Sequence, residues 1–201
     1  MSKVVVFNSL TLDGVMQAPG RPDEDTRGGF AHGGWGLPYN DPVLGEVVAK
    51  GMADAGPLLL GRRTYEALFA FWPHQKDNPF TEVFDNTLKY VASNSLREPL
   101  PWRNSQLLQG DATDAVAELR RQPGKDIVVL GSGELVQALR GRDLVDQYTL
   151  LIHPLVLGTG RRLFPDGGPP ATLRLVDTVT TTTGVVIATY RPAEQAAEAA
   201  S

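Results

Sequence analysis

Three short apolar runs, Leu58–Leu60, Lys89–Ala92 and Ile127–Leu130, each deliver the chain directly into a glycine- or hydroxyl-rich turn. The turns are Gly61-Arg62-Arg63-Thr64, Ser93-Asn94 and Gly131-Ser132-Gly133. Apolar runs this short, bounded by turn residues, read as buried strands. Two of the turns open into helical periodicity: Tyr65, Leu68 and Phe69, stopped by Pro73, and Glu134 to Arg140, stopped by Gly141. Thr64 is placed to cap the first of these helices. Strands buried on both faces and alternating with helices belong to a largely parallel sheet. Ligands of such sheets lie beyond the carboxyl ends of the strands, where all three turns fall.

The remaining segments fit that frame. Lys3 to Leu10 is a buried strand turned by Thr11-Leu12-Asp13-Gly14. Asp41-Pro42 has the form of an N-cap followed by proline at the first helical position. Leu44, Val47, Val48 and Met52 then share one helical face until Gly56-Pro57. Ser105 to Leu108 reads as a strand and Thr113 to Gln122 as a helix broken by Pro123-Gly124. Gln147 to His153 alternates as a strand, and Leu173 to Val179 and Val185 to Tyr190 flank a Thr-Thr-Gly turn as an antiparallel hairpin. The expected architecture is one three-layer α/β/α domain over residues 1–192, its central sheet mostly parallel with an antiparallel C-terminal edge. Residues 193–201, rich in Ala, Glu and Gln with no apolar face, are expected to form a frayed tail. Gln17 to Tyr39 is rich in Gly, Pro and acid and shows no periodicity, which predicts a mobile lid or a partner-covering arm over the site.

Composition removes several function classes. A net charge of -4 gives no electrostatic reason to expect nucleic acid or an anionic membrane as partner. The absence of cysteine excludes disulfides, thiolate metal sites and a cysteine nucleophile. No apolar run approaches the ~20 residues of a membrane span, and Met1-Ser2-Lys3 does not open a signal peptide. The cytoplasm is the expected compartment. Three scattered histidines make no metal set. Ser9, Ser132 and His153 sit in no Gly-x-Ser-x-Gly context, and His153, before Pro154 in an apolar strand, reads as structural. No Walker-type phosphate loop is present.

Gly61-Arg62-Arg63-Thr64 brings a close-approach glycine, two guanidinium groups and a helix N-terminus to one point, a combination suited to an anion. Alone it is equally a surface arginine pair beside a capped helix. Gly131-Ser132-Gly133-Glu134-Leu135 repeats the arrangement, though a lone Gly-x-Gly also serves any tight strand-to-helix turn. It departs from the Rossmann fingerprint, since Val136 stands at the third glycine position. Asp13, in a turn at a strand end, is open between contact with substrate and an Asx turn.

In combination these stretches resemble a known family. Leu60-Gly61-Arg62-Arg63-Thr64-Tyr65-Glu66 resembles the segment of dihydrofolate reductases that holds the adenosine phosphates of NADPH, and Val129 to Leu135 resembles their pyrophosphate-facing turn. Leu144 to Tyr148, His153-Pro154-Leu155-Val156-Leu157-Gly158-Thr159-Gly160-Arg161-Arg162-Leu163-Phe164 and the opening Ser9 to Gly14 are similar to the reductase domain of riboflavin biosynthesis and its stand-alone relatives. The resemblance spans roughly residues 3 to 191. It implies a dihydrofolate reductase-like fold, NADPH as cofactor, hydride transfer to a small pteridine- or aminopyrimidine-like heterocycle, and a homodimer. The cofactor residues it implies are Gly61, Arg62, Arg63 and Thr64, then Ser93 and Asn94 near the adenosine ribose, then Gly131, Ser132, Gly133, Glu134 and Leu135. For the substrate side it implies Leu157 and Gly158 opposite Leu12, Asp13 and Gly14. Asp13 is the catalytic candidate from its place in the turn, and Trp35, beside glycine, reads as a loop cover with closure over substrate as the alternative. Two departures narrow the substrate. The first-helix carboxylate that grips pterin in dihydrofolate reductases falls at Gly45, leaving Glu46 beside it as the substrate-binding candidate. Val15 stands where the riboflavin reductases carry a cation after Asp-Gly. Folate itself and a ribose phosphate are therefore disfavoured. The rival from another class is a non-catalytic dinucleotide- or ligand-binding protein on the same fold.

Overall fold

A computed structural model of the chain describes residues 1–54 and 56–193. The tail expected beyond residue 193 lies outside them. Strands are β1 (Val4–Thr11), β2 (Leu58–Gly61), β3 (Lys89–Ala92), β4 (Ser105–Leu107), β5 (Ile127–Leu130), β6 (Gln147–His153), β7 (Leu173–Thr180) and β8 (Val186–Pro192). Helices are α1 (Pro42–Asp54), α2 (Arg62–Phe71), α3 (Pro79–Asn86), α4 (Ala112–Arg121) and α5 (Gly133–Arg140). One eight-stranded sheet runs in the order β4-β3-β2-β5-β1-β6-β8-β7. Its pairs are parallel from β4 through β6, and β8 runs antiparallel to both β6 and β7.

The continuous apolar runs are explained by burial on both faces. In β2, Leu59 packs into a core with Val116 of α4 and Leu135, Val136 and Leu139 of α5. Its neighbours Leu58 and Leu60 face the opposite side, against Tyr65 of α2, Phe84 of α3 and Trp102. On that same side α1 lays Leu44, Val47 and Val48 over Phe7, Leu151 and Ile187. Alternate residues of each central strand thus fill separate layers, the arrangement that a three-layer domain requires.

Local capping follows the sequence closely, with one exception. Asp41 Oδ1 accepts the Leu44 N–H at 2.7 Å, and its Oδ2 holds the β7–β8 turn through the Thr182 N–H at 2.6 Å. Thr64 does not cap α2, because that helix already begins at Arg62 and places Thr64 inside the first turn. α3 goes beyond the sequence expectation. Its start repeats the Asp41-Pro42 pattern, with Asn78 Oδ1 accepting the Phe80 N–H at 3.0 Å before Pro79.

The glycine-rich stretch 17–39 is not a bare arm. Val15, Ala18, Phe30 and Trp35 form a small buried core of their own, with Leu155 and Leu157 packed against it. Gln17, buried, donates its amide to the carbonyls of Asp25 at 3.1 Å and Arg27 at 3.0 Å and accepts the Arg161 N–H at 3.0 Å. The Trp35 indole N–H closes on the Gln17 carbonyl at 2.7 Å. These contacts are set at irregular spacing, which periodicity does not register.

Candidate active site

A cleft of about 1210 Å³ opens at the carboxyl ends of β2, β3 and β5. It exceeds the roughly 300–1,000 Å³ of ordinary single-ligand pockets, so a dinucleotide and a second small molecule can share it. Every residue that the resemblance implied for the cofactor lines it: Gly61 to Thr64, Ser93, Asn94 and Gly131 to Leu135.

The β2 and β5 turns are tied into one unit at Ser132. Its Oγ accepts the Gly61 N–H at 2.9 Å and lies 3.0 Å from Thr64 Oγ1 and 2.8 Å from the Leu130 carbonyl. Thr64 Oγ1 in turn accepts the Ser132 N–H at 3.1 Å. This is the work Thr64 does in place of capping. The tie accounts for the left-handed backbone of Ser132, φ 57°, a conformation that costs a non-glycine residue roughly 1–2 kcal/mol. Gly133 sits close against Met16: a Cβ there would stand 2.8 Å from Met16 Sδ, so that flexible side chain would have to shift. Asn8, buried in β1, steadies the turn by donating to the Gly131 carbonyl at 3.1 Å.

Arginines crowd the same walls. Arg62 pairs with Glu66 at 3.5 Å, and Glu134 joins Arg63 at 3.5 Å to Arg161 at 3.1 Å. Arg27 is held by Asp25, whose carboxyl this bonding keeps below the ordinary aspartate value. Sequence reasoning gave neither Arg27 nor Arg161 a role: Arg27 comes from the aperiodic stretch 17–39, and Arg161 stands within the quoted His153–Phe164 stretch but was not assigned to the site.

The residues assigned to the substrate side meet one another but not this cleft. Asp13 Oδ1 accepts the Thr11 hydroxyl at 2.6 Å and the Leu157 N–H at 3.2 Å, and Oδ2 accepts the Gly158 N–H at 2.8 Å. The Thr11 hydroxyl chiefly, helped by the two amides, lowers the Asp13 pKa. Asp13 does meet Leu157 and Gly158, while the Leu12 N–H reaches the Leu155 carbonyl at 2.9 Å and the Gly14 carbonyl accepts the Leu163 N–H at 3.1 Å; none of Leu12, Asp13, Gly14, Leu157 and Gly158 lines the cleft. Asp13 is a brace between two loops. Glu46 is exposed on α1 and also outside the lining. Trp35 is buried, edge-on to His153 at 5.0 Å between ring centres, so it serves packing. His153 is structural as expected: Nδ1 donates to the Leu151 carbonyl at 2.9 Å, and burial lowers its pKa.

The family model for the RibD C-terminal domain matches residues 2–187. YyaP of Bacillus subtilis, an uncharacterized protein, is 32% identical over 155 residues, 75% of this chain and 80% of its own. YwjB of the same organism, also uncharacterized, is 29% identical over 126 residues, 60% of this chain and 65% of its own. Among solved structures, a protein attributed to riboflavin biosynthesis from Shewanella sp. PV-4 superposes with a TM-score of 0.72 at 22% identity, covering 96% of this chain and 99% of that one. A pyrimidine reductase-like protein of Corynebacterium diphtheriae gives 0.64 at 13% identity, covering 96% and 92%. Dihydrofolate reductase of Enterococcus faecalis, complexed with NADP(H), gives 0.60 at 14% identity, covering 96% and 97%. The fold is therefore dihydrofolate reductase-like, and with the family model spanning nearly the whole described domain, the chain belongs to the RibD C-terminal domain family.

Proposed function

We propose that the chain is an NADPH-dependent reductase of a small heterocycle, pteridine- or aminopyrimidine-like. The observation that carries this reading is the junction at Ser132, which joins two glycine turns beside Arg62 and Arg63. Gly61 to Thr64 and Gly131 to Leu135 would hold the phosphates, and Ser93 and Asn94 the adenosine ribose. The cofactor supplies the hydride, and the protein binds, orients and excludes water. The residues present suit such a group. The arginines' existing ion pairs are half exposed and of a kind that stabilises by only ~0–1 kcal/mol, so a phosphate can take over the guanidinium groups.

The test is titration of NADPH and NADH by fluorescence quenching against wild type, Arg62→Ala and Arg63→Ala. A hydrogen bond to a charged group contributes ~1.5–3 kcal/mol, so losing the arginine that meets the 2′-phosphate should weaken NADPH by about tenfold to a hundredfold. NADH should change little. Equal losses for both cofactors would move the arginines to the pyrophosphate, and no loss in either variant would remove the site. The position of Glu46 outside the cleft favours a second reading, a binding protein without turnover. NADPH binding with no oxidation across dihydropterins, aminouracils and small quinones would decide for it.

A further inference from the structure

Reduction of a C=N or C=O bond needs a proton as well as a hydride, and a donor acid has to stay protonated at working pH inside the cleft. The lining carboxylates differ sharply in what holds them. Asp25 is bound by Arg27, Glu66 by Arg62, and Glu134 by Arg63 and Arg161. Asp23 pairs with Arg21 at 3.3 Å, and Asp166 is exposed at the rim. A carboxylate already engaged by a guanidinium is committed to that partner and is not free to hand on a proton. Glu24 differs from all of these. It is half-buried in the cleft wall and forms no ion pair with the described residues. Its Oε2 accepts the N–H groups of Gly20 at 2.8 Å and Arg21 at 3.1 Å, which fixes the side chain, while Oε1 accepts no hydrogen bond from the described residues.

The segment that carries Glu24 is anchored against the wall of the cleft. The Arg21 guanidinium lies 4.6 Å from the centre of the Phe71 ring at the end of α2, and Ala67 and Leu68 of the same helix line the cleft. Burial raises the Glu24 pKa, and the Gly20 and Arg21 amides oppose it more weakly. The charges that act on it are Arg21, which lowers the value, and Asp25, which raises it.

We propose that Glu24 is the proton donor of this site, delivering a proton from its carboxyl group to the heteroatom of the bond being reduced. The inference rests on the reductase reading given above. In the step the Glu24 O–H bond breaks as the N–H or O–H bond of the product forms. The carbon takes the hydride supplied by one reduced nicotinamide dinucleotide, and the Glu24 carboxylate regains its proton from water. A segment without regular structure thereby contributes the acid that α1 does not bring to the cleft.

Glu24→Gln keeps a carbonyl oxygen for the Gly20 and Arg21 amides and removes the acidic proton, so the loop should hold its shape. NADPH is first titrated into wild type and E24Q. Equal affinity is expected, and no binding to wild type would overturn the reductase reading itself. The carboxyl carbon of Glu24 is then followed by ¹³C NMR in protein labelled at the glutamate side chains with NADP⁺ present, its signal assigned by its absence from E24Q. It should titrate above the exposed glutamates, the direction that burial dictates, and its position should move on addition of 5-aminouracil as a probe heterocycle. Titration together with the exposed glutamates and no response to the probe would overturn the proposal, even with NADPH bound. On any aminouracil or dihydropterin that is reduced, E24Q should lower kcat by about 10²-fold. Wild-type kcat should fall as pH rises through the Glu24 titration, and the E24Q profile should lose that limb. An unchanged kcat would likewise overturn it.

Discussion

Asp13 shows how a single carboxylate changes meaning once its partners are known. In the sequence it occupies a turn at a strand end, where contact with substrate and local bracing look alike. With the Thr11 hydroxyl and two backbone amides on its oxygens, it is a brace. Asp13→Asn replaces one acceptor oxygen with a donor and should cost about 1 kcal/mol, lowering Tm by about 2–4 °C, with NADPH affinity unchanged. Because the folded pKa lies below the unfolded one, this contribution is present above the ordinary value of 3.8 and is lost as pH falls below it. The Tm gap between variant and wild type should therefore close in acid. Full stability combined with lost turnover would return Asp13 to the chemistry. The two glycine turns that line the cleft were legible in the sequence only in combination and through the family resemblance, because glycine and hydroxyl residues at strand ends also serve any tight strand-to-helix turn. Glu24 was not, since a glutamate in an acidic loop carries no signal until burial sets it apart.

At the scale of elements, the regular segments were readable and the irregular ones only by their outline. The apolar runs of β2 and β5 announce themselves because both faces are buried. α3 was missed, although its Asn78-Pro79 start has the same form as Asp41-Pro42. What periodicity could not give was the packing of residues 17–39, whose core residues Ala18, Phe30 and Trp35 follow no repeat. The segment is held by long-range bonds, among them Gly34 N–H to the Ala18 carbonyl at 2.8 Å and Gly36 N–H to the Pro19 carbonyl at 2.9 Å. Hydrogen exchange should accordingly show the amides of Met16, Gly34 and Gly36 slowed well beyond those of Gly28 and Gly29, which lie in an exposed turn. Uniformly fast exchange from residue 17 to 39 would restore the mobile arm that composition alone suggests.

For the whole molecule the expected assembly is a homodimer. β7 is an edge strand with one unpaired side, and it leaves Leu175 54% and Val176 40% exposed, the kind of edge that proteins usually cover. Sedimentation should give a dimer at micromolar concentration, and a monomer throughout would remove the expectation. The strand order also has a consequence for how the protein is made. β1 pairs only with β5 and β6, and the Gly61 turn waits for Ser132, 71 residues further on. At ribosomal rates of about 5–20 residues per second, that wait alone lasts roughly 4 to 14 s. A growing chain thus carries the apolar strand Val4–Thr11 with both edges open until more than half of the polypeptide has emerged. Throughout that interval no occupant of the cleft can help to hold it, because the β5 turn that walls the cleft has yet to be translated.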